Sequence, residues 1–567
     1  MTGRFALALP WALAAACLSY DPSALAASPK RSIGLLLALA LLARRLVLGE
    51  PLRLNRAAFA LLGCVFVLGI SALYGAAGRW LVLGNWWLIG ALVLGLSVFE
   101  QRTRKSILAR TALLVSLGVS LALWVEWLFG ARLMQLHAGQ GNPNWAGLLL
   151  AAAWLAAFDD GALERVGSVA RGLFSALIAS ALVLSASRVA WVATAIAWLV
   201  VLAWKRVRRE ASINLALLGA AIALSSVHFG AAPERRSPAA VAHGHTELDR
   251  SAKTSLAVRV WIQRIALRTA IYELPMGTGL GGFFPAFLEE QGKALATLSP
   301  RSASQRFSNA TSAHQDLIEL WVEAGPLAPL LLLLGFALAL RSSDAHSAGA
   351  LVVVALCALG DSPLHLPALG ILIGALFAAL PEQAELPRGK ALFALVLLVN
   401  GFLLARSLAE WTSERFATKA RSATGSERQR LLEGAARLSP DSSERALELG
   451  LSQQERGELH AARESLRRAT ALGGDVASYV ALGALELDVS NERAARDAFE
   501  AALARNPGSV RAHSGQSEAL RRLGDFDDAE RHAKIAAELL PGDMDLRARL
   551  DRIREQRWDR ELYDDAD

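Results

Sequence analysis

The fold of this chain is decided by apolar stretches such as residues 80–99, which read WLVLGNWWLIGALVLGLSVF. This stretch contains no charged side chain, and about 20 apolar residues suffice for a helix to cross the hydrocarbon core of a bilayer. In hydrocarbon the segment must be helical, because every backbone N–H and C=O has to be satisfied internally. The stretch therefore predicts a transmembrane helix.

Comparable runs recur through the first 411 residues, and they predict an all-α fold with a polytopic membrane bundle of about 12–13 helices. We place these segments at about residues 5–19, 32–49, 57–74, 80–99, 107–129, 145–158, 172–186, 189–204, 213–230, 317–340, 348–360, 364–380 and 391–407. The predicted domains are this membrane bundle (1–411, including a large loop at 231–316), a helical linker (412–440) and a helical repeat domain (441–560).

Composition separates the two parts of the chain. Of its 567 residues, 53% are hydrophobic and 20% are charged. Residues 1–411 contain 34 basic and 22 acidic residues, whereas residues 412–567 contain 25 and 30. The basic excess lies in short loops between apolar segments, which indicates membrane topology and not a nucleic-acid-binding face. All three cysteines lie inside apolar stretches without metal-ligand spacing, so we expect neither a zinc site nor a disulfide framework.

The basic residues orient the bundle. One set of alternate loops contains 17 of them, and the short loops of the opposite set contain five. Because Lys and Arg concentrate in cytoplasmic loops, we expect the N-terminus to be cytoplasmic and the 231–316 loop and the tail to lie outside. Arg4, the apolar run after it and Ala24-Leu25-Ala26 also resemble a signal peptide. Cleavage there would leave twelve crossings and the same orientation.

The tail contains an internal repeat. Ala495, Phe499, Ala502 and Pro507 recur 34 residues later as Ala529, Ala533, Ala536 and Pro541, and a looser copy contains Ala462, Leu466 and Ala469. A 34-residue period with small residues where paired helices touch is typical of tetratricopeptide repeats. Stacked repeats bury faces that one repeat cannot bury alone. We therefore expect three or four tetratricopeptide-like repeats that bind a protein partner.

Polar residues interrupt the apolar pattern mainly on the predicted outer side. Asn142 and Asn144 flank Pro143 at the start of a helix, where they are either substrate-binding amides or an ordinary cap. Arg188 lies between two apolar segments; it either reaches the interface or binds an anion, because its planar fork matches phosphate oxygens.

Three further features lie within or beside the long outer loop. Arg259, Trp261 and Arg264 belong to an amphipathic helix that also carries Arg268. Gly277 and Gly279 belong to a glycine-rich run, which is capable of cradling phosphate through backbone N–H groups but lacks a preceding strand. His314 precedes an apolar segment and is suited to proton transfer near neutral pH, with Asp316 or Glu319 as the side chain that orients it.

Together these motifs resemble the O-antigen ligase and Wzy-type polymerase superfamily of polytopic membrane glycosyltransferases. The resemblance lies in Gly141-Asn142-Pro143-Asn144, in Ser187-Arg188, in Arg259 with Trp261 ahead of Pro275-x-Gly277-x-Gly279, and above all in His314-Gln315-Asp316-Leu317-Ile318-Glu319 followed by Glu323-Ala324-Gly325. Gln315 stands where the family usually has Asn, and Ala324 where Gly is common. The resemblance covers mainly residues 140–340.

The resemblance implies an inner-membrane enzyme that takes a glycan from an undecaprenyl-diphosphate carrier and attaches it to an acceptor hydroxyl at the periplasmic face. It implies that Arg188 and Arg259 bind the diphosphate and that His314 lies near the acceptor hydroxyl, with no nucleotide sugar and no metal or other cofactor. The substrate-binding candidates are Asn142, Asn144, Trp261, Arg264, Gly277, Gly279 and Asp316.

Several functions remain open at this level. The acceptor is a glycolipid in a ligase, a growing polysaccharide in a polymerase, or a protein in an O-oligosaccharyltransferase. A membrane-anchored scaffold for envelope polysaccharide assembly explains the repeats but not the outer arginines. A transporter is disfavoured because its ionisable groups are expected near the bilayer midplane, whereas Arg188, Arg259 and His314 are all predicted at one face.

Overall fold

The computed structural model describes residues 2–22, 24, 27–49, 52–129, 136–158, 167–204, 207–229, 251–386 and 390–564. Leu25 and Ala26 of the predicted cleavage motif and residues 231–250 of the long loop lie outside this description. The first part of the chain contains the helices α1 (Thr2–Leu18), α2 (Ala27–Leu48), α3 (Arg56–Leu73), α4 (Arg79–Leu96), α5 (Gln101–Leu128), α6 (Pro143–Ala156), α7 (Ser168–Leu184), α8 (Arg188–Val201) and α9 (Arg208–Phe229).

The middle of the chain adds the helices of the long loop and the remaining apolar helices. They are α10 (Ser251–Tyr272), α11 (Phe283–Leu295), α12 (Pro300–Arg306), α13 (Asp316–Ala324), α14 (Leu327–Ser342), α15 (Ala345–Ala358), α16 (Pro367–Ala379) and α17 (Lys390–Ser422), with a 3₁₀ turn at Pro363–His365.

Every predicted apolar segment coincides with helical structure. Among the described residues, four helices are long and apolar enough to cross a membrane: α3, α4, α5 and residues 393–422 of α17. Seven shorter apolar helices accompany them, namely residues 5–18 of α1 together with α6, α7, α8, α14, α15 and α16. Fully buried large side chains such as Trp86, Trp154 and Trp198 fill the centre of the bundle. The predicted all-α fold is confirmed.

The predicted segment 317–340 is not one helix. It is divided into α13 and α14 at Gly325, which has φ 71°, and Pro326. A Cβ at Gly325 would lie 2.1 Å from the carbonyl oxygen of Pro275, so only glycine permits this approach. The single-helix prediction is wrong here because a left-handed glycine followed by proline ends a helix, even inside an apolar run.

The two ends of the bundle differ in structure. At one end, β1 (Leu52–Leu54) pairs antiparallel with β2 (Ala384–Leu386), and Lys105 Nζ lies 2.7 Å from Asp344 Oδ2. Gly349, near the start of α15, lies against Ala197 and Val201 at the end of α8, so the two helices run antiparallel. The start of α8 and the end of α15 therefore lie together at the opposite end of the bundle.

The tail is an array of helical hairpins, as the sequence repeat predicts. Its helices are α18 (Gly425–Leu438), α19 (Ser443–Glu455), α20 (Leu459–Ala471), α21 (Val476–Asp488), α22 (Glu492–Arg505), α23 (Val510–Leu523), α24 (Phe526–Leu539) and α25 (Met544–Asp564). The small residues of the repeat are buried at the helix contacts: Ala462, Ala469, Ala495, Ala502, Ala529 and Ala536 are each 0% exposed. Helix α17 continues without a break through residue 411 into this part of the chain.

Candidate active site

His314 lies immediately before α13 in an unusual backbone conformation. Its φ of 51° is in the left-handed region, which non-glycine residues adopt uncommonly and often at functional sites. Its side chain is 36% exposed, and Nδ1 lies 3.7 Å from Asp361 Oδ1. The amide of Gln263 in α10 donates to the His314 carbonyl oxygen at 3.4 Å. The imidazole therefore faces the turn between α15 and α16.

Asp361 connects the histidine with Arg259. The Asp361 Oδ1 atom accepts the Ser362 N–H at 2.9 Å, and Arg259 Nη1 donates to the neighbouring Gly360 carbonyl oxygen at 3.1 Å. Burial alone would raise the pKa of Asp361, but the His314 ring, the Ser362 N–H and the Arg259 charge hold that pKa below its usual value. Asp361 is therefore an anion between two groups that favour its charge.

Three acidic residues of α13 accept hydrogen bonds from backbone N–H groups of the surrounding loops and so hold these loops in place. Asp316 is 0% exposed and accepts from Leu364 N–H at 3.2 Å. Glu319 accepts from Ala313 N–H at 2.9 Å, and its other oxygen lies 3.4 Å from His365 Nδ1. Glu323 accepts from Gly281 N–H at 2.9 Å.

These contacts correct one prediction. We expected Asp316 or Glu319 to orient His314, but both carboxylates are used inside the protein and Asp361 faces the imidazole instead. The physical reason is tertiary packing, which brings Asp361 in the turn between α15 and α16 to 3.7 Å from His314 Nδ1. The predicted contact of Asp316 with substrate stays a prediction, and its position gives it a role in fixing the turn before α16.

The glycine-rich run packs against protein backbone. A Cβ at Gly277 would lie 2.6 Å from the Val322 carbonyl oxygen, and one at Gly279 would lie 2.6 Å from Gly75 Cα. The N–H of Gly277 donates to the Glu273 carbonyl oxygen at 2.8 Å, and Thr278 N–H donates to Val322 at 2.8 Å. These N–H groups are already satisfied, so the geometry gives the run a packing role; substrate contact at Gly277 and Gly279 stays a prediction.

Arg188 and the two asparagines lie at the same end of the bundle as Asp361. Arg188 is the first residue of α8 and is exposed; the preceding Ser187 caps the helix by accepting Ala190 N–H at 3.3 Å. Asn142 caps α6, with its side-chain oxygen accepting Asn144 N–H at 2.8 Å. Helix capping is sufficient to account for the asparagine at position 142. Asn144 contributes only its backbone N–H to this hydrogen bond.

Trp261 and Arg264 lie three residues apart on α10 and differ in burial. The Trp261 indole N–H donates to Gln291 Oε1 at 3.4 Å, and the Arg306 guanidinium lies 6.0 Å from its ring. Trp261 thus packs towards α11 and α12. Arg264 is exposed. The substrate-binding roles of both residues stay predictions.

The structure therefore brings His314 and Arg259 together, sets Arg188 at the same end, and adds Asp361, which the sequence reasoning missed. A signal for Asp361 was present: Gly360-Asp361-Ser362-Pro363 is a short polar turn between two apolar segments on the predicted outer side. Within the described residues, no group of three or more His, Cys, Asp or Glu side chains has a metal-binding arrangement.

Two solved structures illustrate the similarity to repeat proteins. MamA from Desulfovibrio magneticus RS-1 is 19% identical over 28% of this chain and 88% of its own, with a TM-score of 0.25. Yeast Tom70 is 13% identical over 77% of this chain and 96% of its own, also with a TM-score of 0.25. Scores this low support no conclusion about function. No curated protein matches the chain significantly.

Residues 173–333 match the Wzy_C family, described as O-antigen ligase. The matched range includes Arg188, Arg259 and His314, whereas Asn142, Asn144 and Asp361 lie outside it. The predicted resemblance is confirmed for this range. Residues 173–333 are thus similar to the O-antigen ligase (Wzy_C) family, within a chain of apolar helices followed by tetratricopeptide-like repeats.

Proposed function

We propose that this protein transfers a glycan from an undecaprenyl-diphosphate carrier to an acceptor hydroxyl at the periplasmic face of the bacterial inner membrane. The Wzy_C domain supports a glycosyltransferase-type enzyme. The proposed reaction rests on the His314–Asp361–Arg259 cluster. It combines a base, an anion that orients the base, and a cation at one solvent-accessible position.

The cluster has the groups that glycosyl transfer requires. The acceptor hydroxyl oxygen attacks the anomeric carbon, a new glycosidic C–O bond forms, and the bond from that carbon to the diphosphate oxygen breaks. Asp361 favours the tautomer of His314 with hydrogen on Nδ1, which leaves Nε2 to accept the hydroxyl proton. The electron pair leaves with undecaprenyl diphosphate, so sugar, carrier and proton are all accounted for.

The arginines are suited to the leaving group. Negative charge develops on the diphosphate as the bond breaks, and a guanidinium stabilises phosphate oxygens through paired N–H donors. We assign this role to Arg188 and Arg259, with Arg264 as an additional contact. Two such cations neutralise the charge without a metal, so we expect EDTA to leave the transfer rate unchanged.

The proposed orientation follows from the loop charges. The basic-rich loops lie at the end of the bundle that contains β1 and β2, and the site and repeats lie at the other end. Since basic loops are retained in the cytoplasm, the site and the repeats face the periplasm. A tail tag that reacts with a membrane-impermeant reagent only after the inner membrane is opened would contradict this orientation.

The central experiment measures glycan transfer from an undecaprenyl-diphosphate-linked oligosaccharide by membranes containing wild-type protein, His314→Ala, Arg188→Ala or Arg259→Ala. We expect each variant to lose most activity, while His460→Ala, an 87% exposed tail histidine, retains it. Full activity in all three site variants would exclude this mechanism and favour an assembly scaffold.

Product analysis then separates the acceptor classes. Glycan on a glycolipid core identifies a ligase, longer carrier-linked chains identify a polymerase, and glycan on a polypeptide identifies a protein O-oligosaccharyltransferase. The ligase is our first choice because the Wzy_C domain is described as O-antigen ligase.

A further inference from the structure

A cavity of 410 Å³ lies between the membrane bundle and the first repeats. Its walls come from four parts of the chain. They are the loop before α4 with the start of that helix, the start of α11 with the segment after α12, Glu410 of α17, and the first repeats at 441–447 and 472–478. This volume lies within the range of about 300–1,000 Å³ that is typical of small-molecule binding pockets in proteins. None of the sequence motifs pointed to this cavity.

The cavity is next to the candidate active site. Gly281 lines it and donates its N–H to Glu323 of α13 at 2.9 Å. Thr311 also lines it, and His314 follows three residues later; three residues span at most about 11 Å of extended chain. His314 itself does not line the cavity, so a saccharide chain in the cavity has to extend past Thr311, by at most about 11 Å, to meet it.

The repeat array is held against the bundle by close backbone contacts, which makes the cavity a fixed feature. A Cβ at Gly292 of α11 would lie 2.0 Å from the Ala504 carbonyl oxygen, and one at Gly508 would lie 2.3 Å from Ser304 N. Gly473, which lines the cavity, packs on Pro285. Glycines at these positions allow main chains to touch, so the repeats form a wall of the cavity.

The lining is acidic, hydroxylated and partly apolar. Four carboxylates reach it, and the described residues of its lining include no Lys or Arg; the four are Glu410, Asp441, Glu444 and Asp475. Asp441 is paired with Arg406 at 2.6 Å and Asp475 caps α21. Glu444 is 63% exposed, and its Oε1 atom lies 3.5 Å from Arg445 Nη1. Phe284, Leu81 and Leu447 supply the apolar surface.

This combination matches a saccharide. Sugar hydroxyls donate to carboxylates, and the C–H face of a sugar ring packs on an aromatic or aliphatic side chain. An amino sugar gains an ion pair with the exposed Glu444. A phosphorylated sugar meets four carboxylates against the two arginines that pair with Asp441 and Glu444, so the net negative charge repels it. The donor diphosphate is excluded for the same reason and remains with Arg188 and Arg259.

We propose that this cavity binds the acceptor as a neutral or amino-bearing, non-phosphorylated saccharide whose free hydroxyl reaches His314. The inference rests on the proposed function and deepens it, because it assigns the acceptor's chemical class and makes the repeats part of the acceptor site. It also gives the repeat domain a role within the enzyme, beside the binding of a separate protein.

The test is calorimetric binding of three probes of equal length to the full chain in lipid nanodiscs: an N-acetylglucosamine trimer, a glucosamine trimer and a phosphorylated glucosamine trimer. We expect the first two to bind and the phosphorylated probe to bind about tenfold more weakly, as expected when a charged hydrogen bond is lost. Glu444→Lys should remove this preference, and Phe284→Ala should weaken both favoured probes.

The matched control is Glu464→Lys, which inverts charge on an exposed face of α20 outside the cavity. Glu444→Gln serves as the milder variant, and circular dichroism verifies folding of each. Equal binding of the phosphorylated probe, or unchanged binding by folded Glu444→Lys and Phe284→Ala, would overturn the inference. Binding of a trilysine peptide in place of both sugars would also overturn it.

The two proposals fail in different ways. The binding experiment contains no donor, so a chain that binds sugar with the expected preference but transfers no glycan contradicts the proposed function alone. A chain that transfers glycan, with an unchanged acceptor KM in Glu444→Lys and Phe284→Ala, contradicts the acceptor cavity alone.

Discussion

His314 Nδ1 and Asp361 Oδ1 lie 3.7 Å apart, although the two residues belong to different loops at one end of the membrane bundle. The distance is slightly longer than a hydrogen bond, and catalytic contacts often shorten when substrate binds. The carboxylate is held by Ser362 N–H and lies beside Arg259. Its position favours the imidazole tautomer that carries hydrogen on Nδ1.

Replacing Asp361 by Asn should lower the transfer rate about 100-fold, because an amide neither selects the imidazole tautomer nor stabilises its protonated form. Acceptor and donor binding should change little. The measurement is single-turnover transfer at saturating substrates. Asp344→Asn, at the opposite end of the bundle, is the control. Wild-type rates in folded Asp361→Asn would remove this carboxylate from the mechanism.

Replacing Arg188 by Ala should raise the donor KM about 10–100-fold, because a charge-assisted phosphate contact contributes about 1.5–3 kcal/mol. The acceptor KM should stay unchanged. Steady-state kinetics with each substrate varied in turn separate the two effects. Arg341→Ala removes an exposed arginine from α14 at the other end of the bundle and should leave both constants as they are. Equal donor KM in the two variants would contradict the diphosphate role.

Replacing Gly277 by Ala should destabilise the protein by about 1–3 kcal/mol. Its φ of 77° disfavours any Cβ, and the new methyl group would meet the Val322 carbonyl oxygen. The measurement is the thermal midpoint of the purified chain in detergent. Gly219→Ala is the matched control, because nothing lies within 4 Å of its Cβ position in α9. Equal midpoints would show that the glycine run does not pack this tightly.

Acidification should destabilise the end of the repeat array. His513 and His532 lie with their Nδ1 atoms 2.9 Å apart. Burial, with the charges of His513 and Arg531, lowers the pKa of His532 to about 4, and burial also lowers the pKa of His513. The unfolded value is about 6.5, so their contribution to stability is complete above pH ~6.5 and declines as the pH falls towards 4.

Hydrogen exchange of α23 and α24 in the full chain, corrected for intrinsic rates, should therefore accelerate between pH 7 and pH 5. His532→Gln should reduce the acceleration, because an amide gains no proton on unfolding. His460→Gln is the control, since that side chain is 87% exposed. Identical pH dependence in wild type and His532→Gln would exclude this histidine as the cause.

The sequence alone predicted the apolar helices because each has to bury a hydrophobic surface. It predicted the repeats because Ala495, Phe499, Ala502 and Pro507 recur 34 residues later, with a looser copy at Ala462. It did not predict the break at Gly325, because a long apolar run continues after it, although Gly325-Pro326 is itself a sequence signal for a helix end. The approach of the Pro275 carbonyl and the positive φ of Gly325 together make glycine necessary there.

What the sequence determined by itself is the class of structure: membrane helices, their predicted orientation, the repeat tail, and the chemical types His314, Arg188 and Arg259. Local spacing, hydrophobicity and charge are sufficient for these. The tertiary structure decided which distant residues lie together. It placed Asp361, and not Asp316 or Glu319, beside His314 Nδ1, and it made the repeat helices a wall of the cavity. Such pairings depend on loops that are distant in the chain, and only packing brings them together.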